Sequence, residues 1–194
     1  HIGAGGFRVN GGTEKDHPLK RTGYNVISDN VLAHYGDEYP SAVGILLMHT
    51  NGNVIAHNDI HHGWYTGISI GWNWGYQRSI RTDDRTENNH IHHIGQGLLS
   101  DMGAIYTLGI SPGTVIRNNL IHDVEANHYG GWGIYDDEGS SHILVENNVV
   151  YNTKFAGYNI HFCKEVTVRN NIFAFGRLQQ LSRSRVEPHK NVFF

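Results

Sequence analysis

Gly113-Thr114-Val115-Ile116-Arg117-Asn118-Asn119-Leu120-Ile121-His122-Asp123 carries the pattern that decides the fold. Two or three apolar residues and a polar one lead into Asn-Asn, followed by two apolar residues and a histidine. Ser28-Asp29-Asn30-Val31-Leu32, His57-Asn58-Asp59-Ile60-His61, Glu87-Asn88-Asn89-His90-Ile91-His92, Glu146-Asn147-Asn148-Val149-Val150-Tyr151 and Arg169-Asn170-Asn171-Ile172-Phe173 repeat it with variation. Asn191-Val192-Phe193-Phe194 is a weaker copy. The second Asn falls at 30, 58, 89, 119, 148, 171 and 191, at intervals of 28, 31, 30, 29, 23 and 20 residues. A period of roughly 20–30 residues made of short strand patterns identifies a solenoid.

Three positions before the second Asn stand Ile27, Ile55, Thr86, Ile116, Val145 and Val168. Two positions after it stand Leu32, Ile60, Ile91, Ile121, Val150 and Phe173. These columns are nearly all apolar, so they are expected to face inward and stack coil upon coil. A further strand follows a glycine in successive repeats, at Gly44-Ile45, Gly67-Ile68, Gly103-Ala104, Gly133-Ile134 and Gly157-Tyr158, so each coil carries at least two strands. No long 3.6-residue periodicity is present, which predicts few helices. A sharp corner needs a residue that tolerates left-handed backbone angles, as Asn does. Its amide also carries donors and an acceptor that can bond along a stack. The Asn column is therefore read as structural. The expected architecture is all-β, a right-handed single-stranded parallel β-helix of about six to seven coils over residues 24–194, with coils spaced by ~4.8 Å. Residues 1–23, Gly-rich and charged, read as a loop or the remnant of a preceding coil.

Composition fits this frame. The 194 residues suffice for a single core. Hydrophobic content is 39% and mean hydropathy −0.42, and no apolar run nears the ~18 residues of a membrane span, so no membrane partner is expected. A net charge of −3 without a basic stripe gives no reason to expect nucleic acid. Cys163 alone excludes an internal disulfide framework. The chain opens without Met or a signal-peptide pattern and stops inside a strand pattern. It is expected to be a portion of a longer solenoid, whose open ends favour self-association.

His61, His92 and His122 occupy one place, three residues after the corner Asn, and Tyr151 continues the column. His62, His93 and Asp123 follow them directly. Imidazoles and a carboxylate are good metal ligands. A solenoid, however, copies whatever sits at one position, and ligand sets converge rather than stand in file. The column is read as a stacked ladder, with no metal assigned.

The acids say more. Asp101 lies just ahead of a strand, and Asp136, Asp137 and Glu138 lie one coil later. Three adjacent acids repel one another and raise the proton affinity of at least one, which suits a general acid. The same carboxylates also suit calcium, or a solvated loop. Asp83 and Asp84, among Arg78, Arg81 and Arg85, read as exposed ion pairs. Aligned on their glycines, Thr107, Asp137 and His161 fall four positions after Gly103, Gly133 and Gly157, which predicts a polar track across three coils. Trp64, Trp72, Trp74, Tyr76, Tyr129 and Trp132 lie in nearby turns. Aromatic faces beside carboxylates suit sugar rings.

The runs Leu98-Leu99-Ser100-Asp101-Met102-Gly103-Ala104-Ile105-Tyr106-Thr107-Leu108-Gly109, Ser111-Pro112-Gly113-Thr114-Val115-Ile116-Arg117-Asn118-Asn119 and Gly130-Gly131-Trp132-Gly133-Ile134-Tyr135 resemble bacterial right-handed β-helix carbohydrate enzymes. The chain is similar over roughly residues 85–190 to glycoside hydrolase family 141, which includes xylan- and pectin-fucose-directed hydrolases. The resemblance implies a plant or algal cell-wall polysaccharide as substrate, and a secreted or periplasmic protein. It implies no obligatory cofactor, with calcium as an option. It points to Asp101 and the Asp137-Glu138 pair as catalytic candidates. Asp136, His161, Tyr106, Trp132 and Arg183 are the expected substrate-binding residues. Similar sequences carry two histidines in the stretch matching Gly157-Tyr158-Asn159-Ile160-His161; here Asn159 stands at the first and His161 keeps the second.

Glycosidases of this kind set one protonated and one ionised carboxyl across the scissile bond, ~5–5.5 Å apart when retaining and ~6.5–9.5 Å when inverting. In straight adjacent strands Asp101 and Asp137 would be offset by about 20 Å at the usual rise. A bend or bulge must bring them together, or Asp137 pairs with Asp136, Glu138 or another acid. Two alternatives stand beside hydrolysis, because fold alone does not choose. One is a calcium-dependent lyase using Lys154, Lys164, Arg183 or Arg185 as base. The other is a non-catalytic carbohydrate-binding module.

Overall fold

In a computed structural model, which describes residues 2–184 and 192–193, each coil is built from three short strands. The first sheet joins β1 (Phe7–Asn10), β4 (Ile45–Met48), β7 (Ile68–Gly71), β10 (Gly103–Thr107), β13 (Trp132–Asp136), β16 (Tyr158–His161) and β19 (Leu181–Ser184). The second joins β2 (Val26–Ser28), β5 (Val54–Ala56), β8 (Arg85–Glu87), β11 (Ile110–Arg117), β14 (Ser141–Glu146), β17 (Thr167–Arg169) and β20 (Val192–Phe193). The third joins β3 (Val31–Ala33), β6 (Asp59–His61), β9 (His90–Ile94), β12 (Leu120–Val124), β15 (Val149–Thr153) and β18 (Ile172–Ala174). Each strand pairs in parallel with its counterparts one coil away. Among the described residues the helix content is one 3₁₀ turn, Pro18–Lys20. The 1–23 segment supplies β1, in register with β4 from Phe7↔Ile45 onward. Arg185 and Asn191 lie outside the described residues.

Three inward columns make the core. Ile27, Ile55, Thr86, Ile116, Val145 and Val168 align through the second sheet and are buried. Leu32, Ile60, Ile91, Ile121 and Val150 do the same in the third, ending at a half-buried Phe173. Ile45, Ile68, Ile105, Ile134 and Tyr158 form the column of the first. β-Branched side chains suit a pleated, buried surface, and each isoleucine buried contributes about 1.5–3 kcal/mol.

The corner between the second and third sheets divides its two demands between two residues. The left-handed angle falls on the residue before each ladder Asn: Asp29 (φ 59°), His57 (56°), Asn88 (58°), Asn118 (56°), Asn147 (56°) and Asn170 (53°). The expectation that one Asn both turns and bonds is corrected accordingly. The second residue bonds. The Nδ2 groups of Asn30, Asn58, Asn89, Asn119 and Asn148 donate to Oδ1 of the next Asn at 2.9, 2.9, 3.0, 2.9 and 2.9 Å, ending on Asn171. Each accepting Oδ1 from Asn58 to Asn171 also takes a backbone N–H of the coil before, at 2.9–3.2 Å. Buried amides thus find partners along the column.

The same division governs the corner ahead of the second sheet. Asp83 turns at φ 59°, and Asp84 Oδ1 accepts from Asn53 N at 3.0 Å and from its Nδ2 at 2.7 Å. Asp84 and Arg81 are each 1% exposed, with Arg81 Nε 3.9 Å from Asp84 Oδ2. The pair is buried, which corrects its reading as a surface ion pair. Burial lowers the Arg81 guanidinium to about 10 and raises Asp84. A third left-handed column stands at the ends of the third-sheet strands, at His34, His62, His93, Asp123, Asn152 and Phe175 (φ 50–54°). It folds the second member of each histidine doublet back beside the first.

Candidate active site

The site lies on the outer face of the first sheet. Register pairs Tyr106 with Tyr135, Tyr135 with Asn159 and Asn159 with Ser182. Side chains alternate along a strand, so Thr107 and Asp136, one position on, point inward. Both are 0% exposed. Thr107 Oγ1 donates to Asp136 Oδ1 at 2.7 Å, and Tyr158 Oη donates to Asp136 Oδ2 at 2.7 Å. Asp136 is therefore a buried structural group and not a substrate contact. Burial, rather than repulsion by its neighbours, raises its proton affinity. Thr107 leaves the proposed polar track for the same reason: Gly103 aligns with Trp132, not Gly133, so the glycine alignment slips by one residue.

Asp137 and His161 do meet. Asp137 directly follows β13, and its N–H donates to Thr107 O at 3.1 Å. His161 Nδ1 lies 2.7 Å from Asp137 Oδ1, and Tyr106 Oη donates to Asp137 Oδ2 at 2.5 Å. The neighbouring acids diverge, Asp136 buried beneath the sheet and Glu138 lining the cleft.

Asp101 reaches the same place by a turn. It sits at φ 55°, anchored by its N–H to Tyr129 O at 2.9 Å and by Tyr65 Oη to its carbonyl at 2.8 Å. Tyr135 Oη donates to Asp101 Oδ1 at 3.3 Å, and the charge of Asp137 bears on the same phenol. Both carboxyls line one cleft, where the charge of Asp137 acts on Asp101. The separation of about 20 Å expected for straight strands is corrected: the chain ahead of β10 bends at Asp101. Burial, then the charge of Asp137, raises Asp101 above its ordinary value. The same burial and carboxylates raise the phenols of Tyr106, Tyr135 and Tyr129, and push Tyr65 up to about 12. These phenols remain protonated donors at neutral pH.

Around the pair runs a cleft of about 540 Å³, lined by Trp74, Tyr129, Trp132, Tyr135 and Phe155 together with Asp101, Asp137, Glu138, Asn159, His161 and Arg183. Trp132 and Asn159 are nearly fully buried, and Trp132 Nε1 and Asn159 Nδ2 have no hydrogen-bond partner among the described residues. The other aromatics serve elsewhere. Trp64 donates to Asp37, Trp72 to Ser69, and Tyr76 to Phe162 O. Lys154 is tied to the carbonyls of Ala126 and Asn127, and Lys164 lies 4.8 Å from the centroid of the Tyr76 ring. Tyr65, Tyr135 and Phe155 were given no role by the sequence. The repeated Ile-Tyr of Ile105-Tyr106 and Ile134-Tyr135 was the signal that fixes the register and exposes the tyrosine column.

Metal-ligating groups gather elsewhere, on the third sheet. Three sets have ligand atoms within 4.8 Å of one another: His34, His61 and His62; His90, His92 and His122; His93, His122 and Asp123.

Residues 85–191 match the family model described as "Right handed beta helix region". A solved structure named "Glycoside hydrolase" is similar at 22% identity and TM-score 0.60. The match covers 96% of this chain and 33% of that one, so the chain spans about a third of its structural relative. No curated protein sequence matches. The repeat, the three parallel sheets and the family match agree, and the chain belongs to the right-handed β-helix family.

Proposed function

We propose that the cleft hydrolyses a glycosidic bond of a polysaccharide, with Asp101 and Asp137 as the working carboxyls. The observation that carries this reading is that both carboxyls line one aromatic cleft of sugar-binding size. Asp101, whose proton affinity is raised by burial and then by the charge of Asp137, is the proton donor to the leaving oxygen. Asp137 takes hydrogen bonds on both oxygens, from His161 and Tyr106, and acts as the anion that attacks the sugar or activates water. Trp74 and Tyr129, the exposed aromatics of the cleft, offer faces for the ring, while Arg183 offers donors to its hydroxyls. Glu138 lines the cleft as an additional acid. The likeness to a structure named glycoside hydrolase supports the class of reaction. The finer assignment, to xylan-like or fucose-containing pectic chains as in glycoside hydrolase family 141, and a secreted or periplasmic setting, rest on sequence resemblance.

Arg183 in the cleft lining favours a second reading, calcium-dependent β-elimination with Arg183 as base. Assay of xylan and pectin fragments with and without chelator separates the two. Hydrolysis releases reducing ends in chelator with no unsaturated chromophore, and the Asp137→Asn variant loses it. Chelator-sensitive release accompanied by the chromophore would establish the lyase instead.

A further inference from the structure

The outer face of the third sheet carries two files of side chains. In the first, His61, His92, His122 and Tyr151 stack with ring centroids 4.8–5.1 Å apart and planes within 20°. Coil repetition accounts for that file. It does not account for the convergence at the ends of β9 and β12. His93 (φ 50°) and Asp123 (φ 54°) take left-handed angles, which fold each of them back against the preceding histidine. The rings of His93 and His122 are 82° apart in orientation, so their nitrogens approach from different directions. Asp123 Oδ2 lies 2.6 Å from His122 Nδ1 and 3.5 Å from His93 Nε2.

Each of the three groups is also held from behind. His93 Nδ1 meets His92 Nδ1 at 2.8 Å, His122 Nε2 meets His90 Nε2 at 2.9 Å, and Asp123 Oδ1 accepts from Asn152 Nδ2. Ligating imidazoles characteristically have their remote nitrogen fixed in this way. A hollow of about 280 Å³, bordered by His62, Gln96 and Glu125, opens beside His93 and Asp123.

We propose that His93 Nε2, His122 Nδ1 and Asp123 Oδ2 bind a divalent transition-metal ion of the zinc class, clamping the coil of β9 to the coil of β12. Two imidazoles and a carboxylate match the donor preference of such ions. With metal–ligand bonds of ~2.0–2.1 Å, tetrahedral ligand atoms stand roughly 3.3 Å apart. The His93–Asp123 edge already has that length, and the His122–Asp123 edge opens to it by side-chain rotation. Water from the hollow completes the coordination, so the ion is exchangeable. This set, unlike the two all-histidine groups, brings an anionic ligand to a divalent charge.

The test uses the full chain, stripped with chelator and dialysed. Zn²⁺ is titrated by calorimetry, and Co²⁺ by its visible d–d bands. One ion per chain is expected, with a higher thermal midpoint in Zn²⁺. His93→Asn and Asp123→Asn keep residues that tolerate the left-handed angle, and His122→Tyr copies Tyr151 of the next coil. Each is expected to weaken Zn²⁺ by about 100-fold or more and to abolish the rise in midpoint. Unchanged affinity in these variants overturns the proposal, as does failure of wild type to bind. Loss confined to His61→Gln or His62→Asn overturns it too, by placing the ion at the other group. Should a variant fail to fold, NMR of Co²⁺-loaded wild type decides. Paramagnetic broadening centred on residues 93, 122 and 123 supports the site; broadening centred on 34 and 62 defeats it.

Discussion

His161 Nδ1 on one coil donates to Asp137 Oδ1 on the coil before it, at 2.7 Å. The contact spans adjacent strands of the first sheet and fixes one face of the carboxylate, while Tyr106 fixes the other. Asp137→Asn removes the charge with little change of shape. Turnover on a confirmed substrate is expected to fall at least ~10³-fold, about 4 kcal/mol of transition-state stabilisation, with the thermal midpoint almost unchanged. Wild-type turnover in the variant, or a large loss of stability without selective loss of turnover, would remove Asp137 from the mechanism.

Tyr106→Phe deletes one donor to Asp137 and leaves the ring in place. A loss of about 10²-fold in kcat, with KM nearly constant, is expected from removal of one preorganised donor. A change in KM alone would show that Tyr106 merely packs against substrate.

Asp101 gives a pH signature. Its native proton affinity is raised above the ordinary value of 3.8 by burial and then by Asp137. The native state therefore binds this proton more tightly than the unfolded chain does, and stability from this group falls as pH rises through the raised value. Asp101→Asn is neutral throughout. It is expected to raise the thermal midpoint relative to wild type at neutral pH, converge with wild type in acid, and abolish turnover. Melting curves across pH decide; a lower midpoint at neutral pH contradicts the assignment.

Asn119→Asp keeps the size of a ladder residue but lacks its amide donors. Asn119 Nδ2 donates to Asn148 Oδ1 and Thr86 O, and the residue is buried. Leaving these acceptors unpaired is expected to cost about 2–4 kcal/mol, read by denaturant unfolding. The exposed neighbour Leu120 changed to Ser should move stability by less than ~0.5 kcal/mol. Equal effects at the two positions would show that the ladder is not a determinant of stability.

The sequence by itself determined the coil. The Asn-Asn spacing and the flanking apolar columns encode a local unit that repeats, and stacking identical units is the way such a unit buries its apolar face. Ile116, Ile121 and Asn119 could be placed from their offsets because every coil makes the same contacts with the next. Tertiary structure decided the site. Asp101 lines the same cleft as Asp137 because the chain bends at a left-handed residue ahead of β10, outside the Asn-Asn repeat. Asp136 turns inward and Asp137 outward because the pleat alternates, and a slip of one residue in glycine alignment was enough to put Thr107 on the track in place of Tyr106. Repetition made the scaffold legible; the loops and the one-residue phase that aim the catalytic groups are not repeated, so only the folded chain shows where they point.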